Sequence, residues 1–168
     1  MAAAKRSKKV AARRGRRVGD GNGAAAGIPA GNHHSTGHPK GILVMIGGRE
    51  DKEGERAILR EVVARARKRS VVVATISSGY PRDQWVAYSG LFKELAASDV
   101  AWLDLEERGG AFGEKGVALL SSAGCVFFTG GDQVRITSRL SGTPLEAAVR
   151  DLYQRGGVVA GTSAGATA

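Results

Sequence analysis

Residues 41–168 alternate between short apolar runs and longer stretches in which apolar and charged residues recur at helical spacing. Short continuous apolar runs predict buried strands. Five such runs predict strands at 42–46, 71–76, 100–105, 125–129 and 157–160. The stretches between them predict helices at about 53–68, 83–97 and 114–121, one that follows a turn at 130–133 and runs to about 139, and a further helix after Thr143 and Pro144. Strands that alternate with helices predict an α/β fold, a parallel sheet covered by helices.

Aromatic residues and the one cysteine fall at positions that favour the core. Trp85, Tyr88 and Phe92 share one face of a predicted helix, so core packing is favoured over a stacking platform for bases. Cys125 lies within an apolar run and not at a turn, which favours a buried small hydrophobe over a nucleophile. A single cysteine excludes an internal disulfide and is compatible with a reducing compartment, so we expect a cytoplasmic protein.

Net charge changes the picture only at the amino terminus. Residues 1–40 hold nine of the 25 Lys and Arg residues but one of the 16 Asp and Glu residues, so +8 of the net +9 lies there. This composition predicts a basic disordered tail at 1–40, ahead of a folded part at 41–168. Its basic pairs could contact nucleic acid, but no signal peptide or membrane span is visible. His33, His34 and His38 lie in the same tail, and we expect solvent exposure there and no metal site.

The segment Gly161-Thr162-Ser163-Ala164-Gly165 directly follows the last predicted strand. A serine between small residues at a strand-to-helix turn is the arrangement of a nucleophile elbow, in which the hydroxyl stands exposed above the sheet. Ser163 is therefore the candidate nucleophile. An ordinary tight turn is the alternative, and a second glycine turn that follows a strand argues against it.

That second turn is Gly130-Gly131-Asp132-Gln133, and a third polar segment, Gly47-Gly48 with Glu50-Asp51-Lys52, follows the first strand. Ligands of open α/β sheets bind at the carboxyl ends of the strands, where all three segments should meet. An amide of the glycine turn and the amide of Ala164 could hold negative charge on an attacked carbonyl. Asp132 is expected to cap the following helix or to orient substrate, in preference to acting as a triad acid. Residues 50–52 could recognise a guanidinium or ammonium group, or could cap a helix.

The three segments resemble those of the cyanophycinases, which share a serine peptidase family with aspartyl dipeptidases. The resemblance runs in order through residues 41–168. It implies a doubly wound, mainly parallel sheet with helices on both faces, related to class I glutamine amidotransferases. The implied activity is hydrolysis of cyanophycin, a polymer with an aspartate backbone and arginine side groups, to β-Asp-Arg dipeptides, without a cofactor or metal. By position it implies Ser163 as nucleophile, Gly131 and Ala164 as oxyanion donors, and Gln133 as a substrate contact. Asp132 is a second candidate substrate contact because it lies beside the glycine turn.

The resemblance also implies a homodimer, and it places a histidine base and its acidic partner beyond Ala168. We therefore expect the chain to be the amino-terminal portion of a longer hydrolase, inactive or weakly active alone, with an apolar face of its sheet exposed. Three functions stay open at this point. They are the cyanophycin hydrolase or a related aspartyl dipeptidase, a noncatalytic module that binds the same ligand, and a nucleic-acid binder that acts through the basic tail.

Overall fold

The computed structural model describes residues 41–67, 69–97 and 99–168. The strands are β1 (Ile42–Ile46), β2 (Val71–Ala74), β3 (Val100–Leu103), β4 (Cys125–Phe128) and β5 (Val158–Thr162). The helices are α1 (Ala57–Arg65), α2 (Pro81–Glu94), a 3-10 turn at Arg108–Phe112, α3 (Glu114–Ser122), α4 (Gln133–Leu140), α5 (Pro144–Gln154) and α6 (Ala164–Thr167). The predicted disordered tail at 1–40, with its histidines and basic pairs, lies outside the described residues.

The five strands form one parallel sheet in the order β1-β5-β4-β2-β3. The chain moves outward from β2 to β3 and then returns through β4 to β5, beside β1. Because crossovers between parallel strands are right-handed, this reversal puts the later helices on the opposite face from the earlier ones. The predicted parallel α/β sheet with helices on both faces is confirmed.

Two apolar clusters lie on the two faces of the sheet. Successive residues along a strand point to opposite faces, so the central strands contribute to both clusters. Val71 and Val73 of β2 pack against α1 and α2, whereas Val72 and Ala74 pack against the side that carries α3, α4 and α5. Burial on both faces explains why the central strands read as unbroken apolar runs. Tyr88 and Phe92 lie in the first cluster as predicted, and Phe127 of β4 packs against both rings.

In the part of the chain that the structure describes, strand β1 lies at an edge of the sheet and is covered on one side only. Its residues Ile42, Val44 and Ile46 pack in the first cluster, whereas Leu43 and Met45, which point to the other side, are 58% and 76% exposed. The expected exposed apolar face is therefore present at this edge. Within the described residues, no helix is long and apolar enough to cross a membrane.

The predicted helix at about 53–68 is shorter in the structure, because its first turn is replaced by a loop. Asp51 accepts hydrogen bonds from the amides of Glu53, Gly54 and Arg56 at 3.0, 2.7 and 3.0 Å. These bonds lower the pKa of Asp51, first through Arg56 and then through Gly54. An acidic side chain that satisfies backbone amides competes with helix formation, so α1 begins only at Ala57.

Candidate active site

Ser163 stands at the turn from β5 into α6, with its side chain exposed. Its backbone has φ 53° and ψ −120°, a conformation that non-glycine residues adopt at a cost of about 1–3 kcal/mol. The Ser163 amide donates to the carbonyl of Ile46 in β1 at 2.9 Å, and the Ala166 amide donates to the Ser163 carbonyl at 2.9 Å. The neighbouring strand and helix thus hold the residue in the strained form, as a nucleophile elbow requires.

The glycines on either side of Ser163 are needed because backbone lies against them. A Cβ atom on Gly161 would lie 2.9 Å from the Ala166 nitrogen and closer still to the Gly165 carbonyl. A Cβ atom on Gly165 would lie 2.6 Å from the Thr129 carbonyl oxygen, at the end of β4. Contacts under 3.0 Å force a backbone shift, so only glycine lets β5, α6 and the end of β4 pack this closely.

The Gly130-Gly131 turn lies directly against the elbow. A Cβ atom on Gly130 would be 3.4 Å from the Ser163 Cβ. Gly131 has φ 152°, and a Cβ there would lie 2.5 Å from the Ser77 carbonyl carbon. Ser77 fixes this turn through its hydroxyl, which donates to the carbonyls of Thr129 at 2.8 Å and Gly130 at 3.0 Å. Ser77 lies between the predicted strand at 71–76 and the predicted helix at about 83–97, and the sequence offers no local signal for this buried contact.

Four of the five predicted site residues share one cleft of about 660 Å³, namely Ser163, Ala164, Gly131 and Gln133. In the part of the chain that the structure describes, neither the Gly131 amide nor the Ala164 amide donates a hydrogen bond. Two free amides beside an exposed hydroxyl are the arrangement that stabilises a tetrahedral intermediate. The roles of these residues stay predictions.

Asp132 lies next to this cleft but uses its carboxylate for structure. Its side chain accepts a hydrogen bond from the Val134 amide at 2.8 Å and so caps α4, the helix-capping alternative considered above. Its own amide donates to the Ser77 carbonyl at 2.9 Å. The substrate contact assigned to Asp132 stays a prediction.

A second cleft of about 450 Å³ opens on the other side of Ser163, lined by Arg49, Glu50, Lys52, Gln84 and Tyr88 among others. Glu50 is almost fully buried there. It accepts hydrogen bonds from the Thr162 hydroxyl at 2.6 Å and from the Tyr88 hydroxyl, and Lys52 Nζ lies 3.4 Å from its Oε1. The Lys52 ammonium also lies 4.6 Å from the centre of the Tyr88 ring.

The pKa of Glu50 is lowered overall although burial by itself would raise it. The hydrogen bonds from Thr162 and Tyr88 outweigh the loss of hydration, with smaller contributions from a backbone amide and Lys52. Burial, and then the same contact with Glu50, raises the pKa of Tyr88. Glu50 is therefore a carboxylate at neutral pH. The sequence signal for this contact was weak: a tyrosine on a buried helix face needs a partner for its hydroxyl.

Cys125 is fully buried, and burial raises the pKa of its thiol, so it is a core residue as predicted. Among the residues that the structure describes, no group of three or more His, Cys, Asp or Glu side chains could hold a metal ion.

Comparison with known proteins places this site in a family. Residues 43–168 match the model of peptidase family S51. The chain is 34% identical over 137 residues to a cyanophycinase of Synechococcus elongatus, and the aligned region covers 80% of this chain and 42% of that protein. It is 36% identical over 130 residues to a cyanophycinase of Nostoc sp., with 76% of this chain and 44% of that protein covered. The chain thus spans less than half the length of these relatives.

A solved structure shares the fold. It is a peptidase from an acI-B1 Actinobacterium, with a TM-score of 0.64 and 22% sequence identity, and the match covers 76% of this chain and 56% of that one. At this identity the likeness supports the α/β peptidase fold alone.

Proposed function

Because this chain belongs to peptidase family S51, we propose that it supplies the nucleophile and the oxyanion donors of a serine-type hydrolase that degrades cyanophycin. The observation that carries the proposal is the strained, exposed Ser163 next to two amides that have no acceptor among the described residues. The 34–36% identity to cyanophycinases supports the choice of substrate.

In the proposed reaction the Ser163 hydroxyl attacks the carbonyl carbon of an aspartate backbone amide. The carbonyl oxygen takes up negative charge and is held by the amides of Gly131 and Ala164, which accounts for their position beside the serine. Collapse of the tetrahedral intermediate expels the amine, whose nitrogen takes up the proton that a base removed from Ser163, and leaves an ester on Ser163. Water then hydrolyses the ester and regenerates the hydroxyl.

The attack needs a base to take the serine proton. Residues 41–168 contain no histidine. Glu50, the carboxylate beside the elbow, is buried, and its low pKa makes it a poor proton acceptor. The proposal therefore assigns the base to a group outside the described residues.

The clefts on both sides of Ser163 support a charged peptide substrate. Arg49 and Lys52 line one cleft, and cationic side chains suit the carboxylate that each arginine of cyanophycin carries. Gln133 lines the other cleft, where its amide can donate to a substrate carbonyl. A cytoplasmic location belongs to the same proposal, because the one cysteine is a free thiol.

The proposal is tested by incubating the purified chain with cyanophycin and measuring soluble β-Asp-Arg by mass spectrometry. If the coding region continues in frame past residue 168, the longer product is assayed in parallel. Release should disappear in Ser163→Ala and persist in Ser121→Ala, a control serine on an exposed face of α3. Release of dipeptide that survives Ser163→Ala would reject the assignment of the nucleophile.

Other outcomes separate the alternatives. Hydrolysis of short aspartyl dipeptides without release from the polymer would favour an aspartyl dipeptidase. Binding of β-Asp-Arg by calorimetry, with no turnover in any form of the protein, would favour a noncatalytic module, the alternative that the lack of a histidine in residues 41–168 supports.

A further inference from the structure

Glu50 connects three elements that meet at the elbow. It lies in the loop that follows β1, and its two carboxylate oxygens accept hydrogen bonds from different elements. Oε2 accepts from the hydroxyl of Thr162, the last residue of β5, at 2.6 Å. Oε1 accepts from the hydroxyl of Tyr88 on α2 and lies 3.4 Å from Lys52 Nζ. The residue thus ties the end of β5 to the helix that covers the sheet.

The environment of Glu50 leaves it little capacity to act on a substrate directly. Its side chain is 2% exposed, and both oxygens already accept hydrogen bonds. A guanidinium group of the substrate has no open face on which to bind. The alternative in which Glu50 recognises a substrate cation is therefore disfavoured by the burial of the carboxylate.

Thr162 is the residue through which Glu50 can act. It immediately precedes Ser163, its side chain is buried, and it pairs with Ile46 at the end of β1. Within the described residues, the backbone of Ser163 makes two hydrogen bonds, one from its amide to the Ile46 carbonyl and one from the Ala166 amide to its own carbonyl. A strained turn persists only where its surroundings over-determine it. A charge-assisted hydrogen bond one residue before the strain provides such a restraint.

We propose that Glu50 is a positioning residue of the elbow, which holds Thr162 so that Ser163 keeps its strained backbone and presents its hydroxyl. This inference rests on the proposed role of Ser163 as nucleophile. Tyr88 and Lys52 hold the carboxylate itself, so they act one step further away. The role belongs to the Glu50–Thr162 bond, and a change at either end should have the same effect.

The first test measures hydrogen exchange by mass spectrometry in the whole chain. Glu50→Gln removes the charge, and Thr162→Val removes the hydroxyl with little change in shape. Both should raise the exchange rate of a peptide that covers β5 and α6 by on the order of tenfold, because the first variant makes the hydrogen bond a weaker neutral one and the second removes it. Thr162→Ser keeps the hydroxyl and should exchange like the parent. Glu61→Gln, an exposed carboxylate paired with Arg65, is the control for loss of a charge.

The location of the effect decides the outcome. Faster exchange at the elbow, with β2 unchanged, supports the inference. Unchanged exchange at the elbow, or an equal increase in β2, would overturn it, because the bond would then be dispensable or only part of global stability. This measurement needs no turnover, so it stands apart from the test of the proposed function.

The second test uses whichever form of the protein releases β-Asp-Arg. Glu50→Gln and Thr162→Val should lower kcat at least tenfold and change KM by less than about twofold, since the bond orients the nucleophile and does not bind substrate. Thr162→Ser should restore most of the kcat. A parent-like kcat in a folded Glu50→Gln variant would overturn the inference even where the hydrolase itself is established.

Discussion

Gly165→Ala tests whether position 165 of the elbow accepts only glycine. The new Cβ would lie 2.6 Å from the Thr129 carbonyl oxygen and 2.7 Å from the Phe128 carbonyl carbon, both of them backbone atoms at the end of β4. No side chain can rotate to relieve these contacts, so α6 or β4 must shift. Overpacking of this kind costs roughly 1–3 kcal/mol, and we expect the upper end here. Alanine is more favourable than glycine within a helix by about 0.5–1 kcal/mol, and this gain in stability offsets part of the cost of overpacking.

The expected net effect is a decrease of about 2 kcal/mol in the free energy of unfolding. For a domain of this size that corresponds to a decrease of about 4–8 °C in Tm. Urea denaturation and thermal melting of the purified chain would measure both quantities. Gly90→Ala in α2 is the matched control, because no atom lies within 4 Å of its added Cβ, and it should raise stability by about 0.5–1 kcal/mol. Equal stability of the two variants would refute the close-packing argument.

Four further predictions concern strain, pH and the buried thiol. Ser163→Gly should raise the free energy of unfolding by about 1 kcal/mol, since glycine adopts φ 53° without a side-chain clash. A decrease in this free energy, measured by urea denaturation, would contradict the prediction. The folded-state pKa of Glu50 is lowered, so the carboxylate stabilises the fold at pH values above its ordinary pKa of 4.5, and this contribution is lost as the pH falls below 4.5. The free energy of unfolding, measured from pH 7 downward, should therefore decline less steeply in Glu50→Gln than in the parent. The folded-state pKa of Tyr88 is raised, so stability should fall above its ordinary value of 10.0 in the parent but less in Tyr88→Phe. Cys125 should react with a thiol reagent only after denaturation, and rapid labelling of the native chain would contradict its burial.

Much of the fold follows from local sequence pattern, because each buried strand is an apolar run. β1 has the predicted bounds, and α5 begins at Pro144 after the predicted Thr143 cap. β5 extends to Thr162, two residues past the prediction, because its pairing with β1 continues through the glycine of the elbow. Local pattern could not show this, since the pairing depends on a strand from the other end of the described residues.

In the candidate site, too, the sequence predicted the local features and missed the contacts between distant residues. Ser163 and the glycine turn were found because small residues after a strand are a local signal, and the sheet order brings the ends of β1, β5 and β4 together. The contact between Glu50 and Thr162 joins residues 112 positions apart, and no spacing rule connects them. A side chain at position 131 would clash with the backbone of Ser77, which is also distant in sequence, so that only glycine fits there. What sequence reasoning missed are hydrogen bonds and steric limits set by tertiary packing.

The order of the strands has a consequence for the time at which the elbow can form during synthesis. β1 is made first among the strands, but the only strand it pairs with in the described part of the chain is β5, which is made last. Pairing between distant segments is slow, because the intervening chain must be ordered before the contact gains any stability. The nascent protein should therefore carry β1 without a partner until residues 158–162 have left the ribosome. Ser163 would acquire its reactive geometry only once that pairing has formed, so that nascent chains in which residues 158–162 have not yet emerged present no formed nucleophile.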